Sequence, residues 1–226
     1  MPCGVSLPVT VLAPPLQRHL DEMTEIVKVS RMVETTVNER RALILQAAYG
    51  TFVSYGFKRT TMDDIARAVG LSRPALYIHF RNKTDIFRGL MQSMMEDTRL
   101  QVAACLKQQL PLRDRLAAAL HEGVVVPQRK ILATAHGDEL FDTSQEFAAD
   151  LFLAWMKSVE AEISLALRLA VTSKAITIPS GLSADIIASL LIDAVQGMKC
   201  RRQDIEEVAD AIPQLLTLVL GAILVH

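Results

Sequence analysis

The residues of this chain that could do chemistry do not assemble into a covalent catalyst. His121 stands beside Glu122, and His136 two residues before Asp138, but neither pair has a third group to orient it. There is no phosphate-cradling glycine loop, no nucleophile elbow and no HExxH pair. The cysteines Cys3, Cys105 and Cys200 are far apart, with no histidine at ligand spacing. Neither a metal site nor a disulfide framework is indicated, and a reducing cytoplasm fits. We therefore expect no enzyme and no cofactor. The informative cluster lies at Thr61–Phe80. Thr61 with Asp64 makes a capping-box spacing, and Met62, Ile65, Ala66 and Val69 form the apolar stripe of a short helix. Gly70 ends that helix and Ser72 caps the next. Pro74 lies in the new helix's first turn, where its missing N–H costs little, and Leu76 and Phe80 face inward. Two short helices around a glycine turn form a helix-turn-helix. Ala66 is small where the helices touch, Gly70 permits the turn, and Leu71 plugs the space beneath. The second helix keeps its first turn and outer face free for the major groove.

These residues need a scaffold. A helix is expected over 37–55, with Ile44, Ala47, Ala48, Thr51 and Phe52 on one stripe and Gly56 past its end. Asn82 caps a long helix from Lys83 to Leu110, stopped by Pro111. Further helices are expected at 112–125, 127–137, 144–173, 183–201 and 203–225, with Pro127, Gly137, Pro179 and Gly181 as punctuation. Half of the residues are hydrophobic and the mean hydropathy is +0.26, which excludes a disordered chain. Few strand-like alternations occur, so the fold class is all-α. No apolar run reaches the ~18 residues of a membrane span, so no membrane partner is expected. Residues 1–36 carry Pro2, Pro8, Pro14 and Pro15 and read as an extension, partly disordered. A start at Met23 or Met32 stays open.

Charge is divided along the chain. Asn38–Arg88 holds nine basic and four acidic residues, a net of +5. The remainder holds 15 basic and 21 acidic residues, a net of −6. One nucleic-acid-facing module joined to a module with another task would be charged in this way.

The run Thr60-Thr61-Met62-Asp63-Asp64-Ile65-Ala66, the turn Gly70-Leu71-Ser72, then Leu76-Tyr77-Ile78-His79-Phe80 and Lys83-Thr84-Asp85 together resemble the N-terminal signature of the TetR family of transcriptional regulators. The likeness covers roughly residues 38–90; the rest matches only in being helical and of suitable length. It implies that Thr61 bonds a phosphate, that Arg73, Pro74 and Ala75 meet base edges, and that Tyr77 and His79 contact phosphate or bases. Lys83 would hold a phosphate as a point charge. Tyr77 packed on the first helix, and His79 as a solvent-exposed cap, are the structural alternatives. Pro74-Ala75 departs from the Gly-Thr of many members, so Ala75 offers only its methyl group, for instance to thymine. The resemblance also implies a pseudo-palindromic double-stranded DNA operator and a cytoplasmic ligand-responsive repressor that a small lipophilic effector releases.

Three segments follow from this: an extension at 1–36, a DNA-binding domain at 37–88, and an effector-binding and dimerisation domain at 89–226. Helices 183–201 and 203–225 carry wide apolar stripes, including Ile186, Leu190, Val208, Ile212 and Ile223, and a buried hairpin or a homodimer would use them. The homodimer, favoured by the resemblance, would set two recognition helices about 34–36 Å apart. The middle helices are rich in Met and aromatic residues, which suit a deformable pocket as well as plain core. Met95, His121, Phe152 and Trp155 are the expected effector contacts. Asp138, Glu139 and Asp142 are either solvated or attract a cationic ligand.

Overall fold

The computed structural model describes residues 37–202, 204–221, 224 and 225. The expectations for residues 1–36 and Ile223 lie outside these. The chain divides into two compact units at Ile44/Leu45, and the contacts below lie within the second. Helix α1 spans 37–55 and buries Ala48, Thr51 and Phe52. Gly56 ends it at φ +78°, its N–H on the Phe52 carbonyl at 2.8 Å. Helices α2 (Met62–Val69) and α3 (Arg73–His79) follow, and α4 runs Lys83–Leu106. Helix α4 ends four residues before its expected stop. The residue before a proline is driven out of the α region, and Lys107–Leu110 are exposed with no core to bury.

Further boundaries differ from expectation, among them the end of the expected helix 203–225, where Leu224–Val225 is a strand. Helix α5 (Leu112–Leu120) continues through a widened turn, His121–Val125, into α6 (Val126–Leu132). The Val126 N–H reaches back to the His121 carbonyl, an i→i+5 bond. Such widening lets a helix pass through Pro127, whose ring would strike the i−4 carbonyl. Gly137 opens α7 (Gly137–Phe147) instead of closing the helix before it. A Cβ there would lie 2.5 Å from the Ile131 carbonyl oxygen, so only glycine admits this approach. Helix α8 (Ala149–Thr172) is separated from α7 by Ala148, at φ −136°, where one helix was expected. The Phe147 carbonyl, which a continuous helix would keep, instead accepts from Arg88 Nη1 at 2.5 Å.

Helices α9 (Ala184–Arg201) and α10 (Ile205–Gly221) complete the body. Among the described residues the only sheet is a two-residue antiparallel pair, β1 (Ile176–Thr177) with β2 (Leu224–Val225). The architecture is all-α in substance. Helix α4 packs on α5 and α8, α8 on α9, and α9 on α10. Their shared core includes Leu116, Leu120, Ile163, Leu167, Leu191 and Leu216, all fully buried. Each such side chain contributes roughly 1.5–3 kcal/mol relative to exposure. Leu165, Leu169, Ile186 and Leu190 of α8 and α9 remain exposed. Among the described residues no helix is long and apolar enough to cross a membrane.

Candidate nucleic-acid interface and cavity

Local chemistry builds the turn between α2 and α3. The Thr61 hydroxyl accepts from the Asp64 N–H at 3.2 Å and donates to Asp64 Oδ2 at 2.6 Å, while the Thr61 N–H donates to the same oxygen at 2.9 Å. These bonds hold the Asp64 carboxyl below its ordinary pKa, with a smaller contribution from Arg67. At the other end Gly70 adopts φ +70°, which lets its N–H and that of Leu71 close on the Arg67 and Ala66 carbonyls. Ser72 Oγ then accepts from the Ala75 N–H at 3.3 Å and starts α3.

Helix α3 buries Leu76, and its cap Phe80 is also buried. Opposite them Arg73, Pro74, Tyr77 and Ile78 make one exposed face. Arg73 is held in place. One guanidinium nitrogen lies 3.1 Å from Asp63 Oδ2, another donates to the Tyr77 hydroxyl at 3.4 Å, and Cζ stands 5.7 Å from the Tyr77 ring centroid. Ala75 and His79 flank the face and are half-buried. Ile78 was not singled out in the sequence, yet it is 82% exposed. An apolar residue that open on a buried-stripe helix is the signal that could have marked it.

Lys83 has an unexpected position. Its ammonium donates to the carbonyls of Phe57 at 2.6 Å, Thr60 at 2.8 Å and Lys58 at 3.3 Å, and lies 4.4 Å from the Phe57 ring centroid. An ammonium has three N–H donors, and three acceptors are in place. Burial pushes its pKa below that of an ordinary lysine. The expected phosphate point charge is thus occupied in tying the turn between α1 and α2 to the start of α4.

A second tie reaches the same turn from the body. Glu139 Oε1 of α7 accepts the Lys58 N–H at 2.7 Å. A Cβ at Gly56 would strike that carboxylate. Phe147, at the end of α7, stacks on Phe57 at 5.7 Å, and Phe57 packs on Phe52 and Phe87. Arg88 forks onto Asp150, both oxygens at 2.7 Å. The sequence reading had left Glu139 as a solvated or ligand-attracting acid.

Met95, Phe152 and Trp155 lie together in the wall of a cavity of about 610 Å³. Small-molecule pockets have this size. The wall is built by Met91, Met94, Met95, Thr98 and Gln101 of α4, by the widened turn and α6, by Phe141, Ser144 and Gln145 of α7, and by Gln196 and Lys199 of α9. His121 is not part of it. The buried stripe passes through Gly123, Val124 and Val125, leaving His121 half-exposed with Nδ1 3.8 Å from Glu122. Asp138, Glu139 and Asp142 do not line the cavity either.

Replacing Lys83 by Met leaves three carbonyls without their charged donor. Denaturant unfolding should show a loss of roughly 1–3 kcal/mol. Stability equal to wild type would mean that the ammonium clamps nothing.

Known proteins show the same pattern. Residues 44–90 match the model of bacterial regulatory proteins of the tetR family. The transcriptional regulator TtgR of Pseudomonas putida is 39% identical over 66 residues, 29% of this chain and 31% of that protein. The chain spans less than half the length of the first curated relatives it matches. Over about four fifths of its length the chain shares the fold of solved structures. A TetR transcription regulator from Haloarcula marismortui superposes with a TM-score of 0.60 at 18% identity, covering 82% of this chain and 98% of that one. SmeT, the repressor of a Stenotrophomonas maltophilia multidrug efflux pump, gives 0.56 at 21% identity, covering 81% and 89%. Residues 44–90 thus carry the helix-turn-helix signature of bacterial regulatory proteins of the tetR family, set in a fold shared with solved regulators of that family.

Proposed function

We propose that the chain is a DNA-binding transcriptional regulator, a repressor that binds a pseudo-palindromic operator as a homodimer and releases it on taking up a small lipophilic effector. One observation carries the DNA reading: the capped α2–Gly70–α3 turn presents a single exposed face of Arg73, Pro74, Tyr77 and Ile78. Arg73 would read a base edge, with Pro74 and Ala75 in close approach. Tyr77 and His79 would contact phosphate or base, and Thr61 would turn its hydroxyl from Asp64 to a phosphate. Lys83 would act chiefly by positioning, since its donors are on carbonyls. Arg59 and Arg67 add nonspecific attraction.

The dimer reading rests on Leu165, Leu169, Ile186 and Leu190, exposed on adjoining helices of the body. Contiguous exposed apolar residues of this kind mark an interaction surface. The release reading rests on connectivity. Helix α7 contributes Phe141, Ser144 and Gln145 to the cavity and Glu139 to the Lys58 N–H. Helix α4 lines the cavity and begins at Lys83. An effector that binds the two arrangements of α7 unequally would shift the turn in front of α2.

Three measurements test these readings. In fluorescence polarisation on DNA selected from a random pool, Arg73→Ala and Tyr77→Ala should each weaken binding by ~1–3 kcal/mol. Unchanged affinity in both would sink the interface. In sedimentation, Leu190→Glu should shift a wild-type dimer toward monomer, and a wild-type monomer at micromolar concentration would exclude the dimer. Under hydrogen exchange, any compound that releases the DNA should speed exchange of the Lys58 amide. Release with that amide unchanged would rule out the route through Glu139.

A further inference from the structure

One half-buried lysine of the cavity wall makes no ion pair among the described residues. Lys199 of α9 lines the cavity with Nζ 5.6 Å from the Phe152 ring centroid. The acids of the wall are Asp97, which is exposed, and Glu122, whose carboxylate lies by His121. Burial holds the Lys199 pKa below that of an ordinary lysine. In the same wall the Trp155 indole N–H is buried without an acceptor. The Gln128 amide oxygen is likewise buried without a donor. Buried polar groups are rarely left this way. A desolvated ammonium in a cavity wall lacks an anionic oxygen. Met91, Met94, Met95 and Phe141 give the wall an apolar part, beside the polar Thr98, Gln101, Ser144, Gln145 and Gln196, and the flexible methionine thioethers fit a chain or ring of variable shape.

We propose that the cavity takes an amphipathic organic monoanion, a carboxylate whose oxygens meet Lys199 and whose apolar part lies against the methionines of α4. The proposal rests on the effector reading and gives it a chemical class. It opposes the cationic ligand that the acidic residues of α7 suggested, since those acids stand outside the cavity.

Trp155 is the chain's single tryptophan, so its fluorescence reports occupancy directly. The full chain is titrated with decanoate, decan-1-ol and decyltrimethylammonium, as wild type, Lys199→Met and Lys199→Arg. Decanoate should bind wild type about tenfold or more tighter than decan-1-ol, as expected for a charged hydrogen bond. Lys199→Met should erase that preference while leaving decan-1-ol affinity unchanged, which also shows the variant is folded. Lys199→Arg should restore it. Equal or tighter binding of decan-1-ol or of the ammonium compound by wild type overturns the proposal. A decanoate preference that survives Lys199→Met does the same. In these cases the effector reading stands, because the cavity still fills. Silence with all three ligands overturns both, and polarisation on selected DNA separately reports whether the reading head works.

Discussion

Three carbonyl groups of one short turn converge on the Lys83 ammonium, and much of the helix-turn-helix depends on that convergence. The turn between α1 and α2 satisfies the Gly56 carbonyl from Thr60, but not those of Phe57, Lys58 and Thr60. These three are answered by a side chain from the first residue of α4, and one of the turn's N–H groups by Glu139 of α7. Phe57, between Phe52, Phe87 and Phe147, seals the turn from water and lies beside the same ammonium. The start of α2, where Thr61 and Asp64 set the capping box, is therefore fixed by groups drawn from three other helices. A turn so dependent on distant partners cannot move without them.

The body reuses the same elements. Helix α4 starts at the clamp, passes the cavity at Met91–Gln101, and buries Val102 and Leu106 in the core. Helix α7 holds Phe141 in the cavity and Phe147 on Phe57. The break at Ala148 makes this possible, because a straight helix from Gly137 to Thr172 would keep the Phe147 carbonyl for itself. The widened turn at His121–Val125 likewise places Gly123 against Val102 of α4, where a Cβ would lie 3.0 Å from a methyl carbon.

How much of this was legible in the sequence follows from the range of the interactions. The caps at Thr61, Ser72 and Asn82 and the glycine at 70 act within four residues, and all four are where the pattern put them. The all-α architecture followed from helical periodicity. Boundaries failed where a contact outside the helical pattern intervened: Arg88, 59 residues away, on the Phe147 carbonyl, and the Ile131 carbonyl pressing on Gly137. Lys83 and Glu139 were recognised as charged residues of interest, but their partners lie 26 and 81 residues away, beyond any local spacing rule. Three of the four expected cavity residues share its wall. His121 does not, because no periodicity argument anticipates an i→i+5 turn. Lys199 carries no local signal, because a lysine near a helix end ordinarily reaches water.

The pairing of Arg73 with Asp63 and Tyr77 bears on the entropy of recognition. A free arginine side chain carries about 2 kcal/mol of rotamer entropy. Here much of that freedom is surrendered when the protein folds, so docking has less of it to remove. On the proposed reading the guanidinium would meet a duplex already oriented, with the Tyr77 ring centroid 5.7 Å away and the Asp63 carboxylate to one side. That carboxylate also repels phosphate and disfavours placements of the helix that bring Asp63 toward the backbone. A preformed fork of this kind narrows the set of approaches before any base has been read.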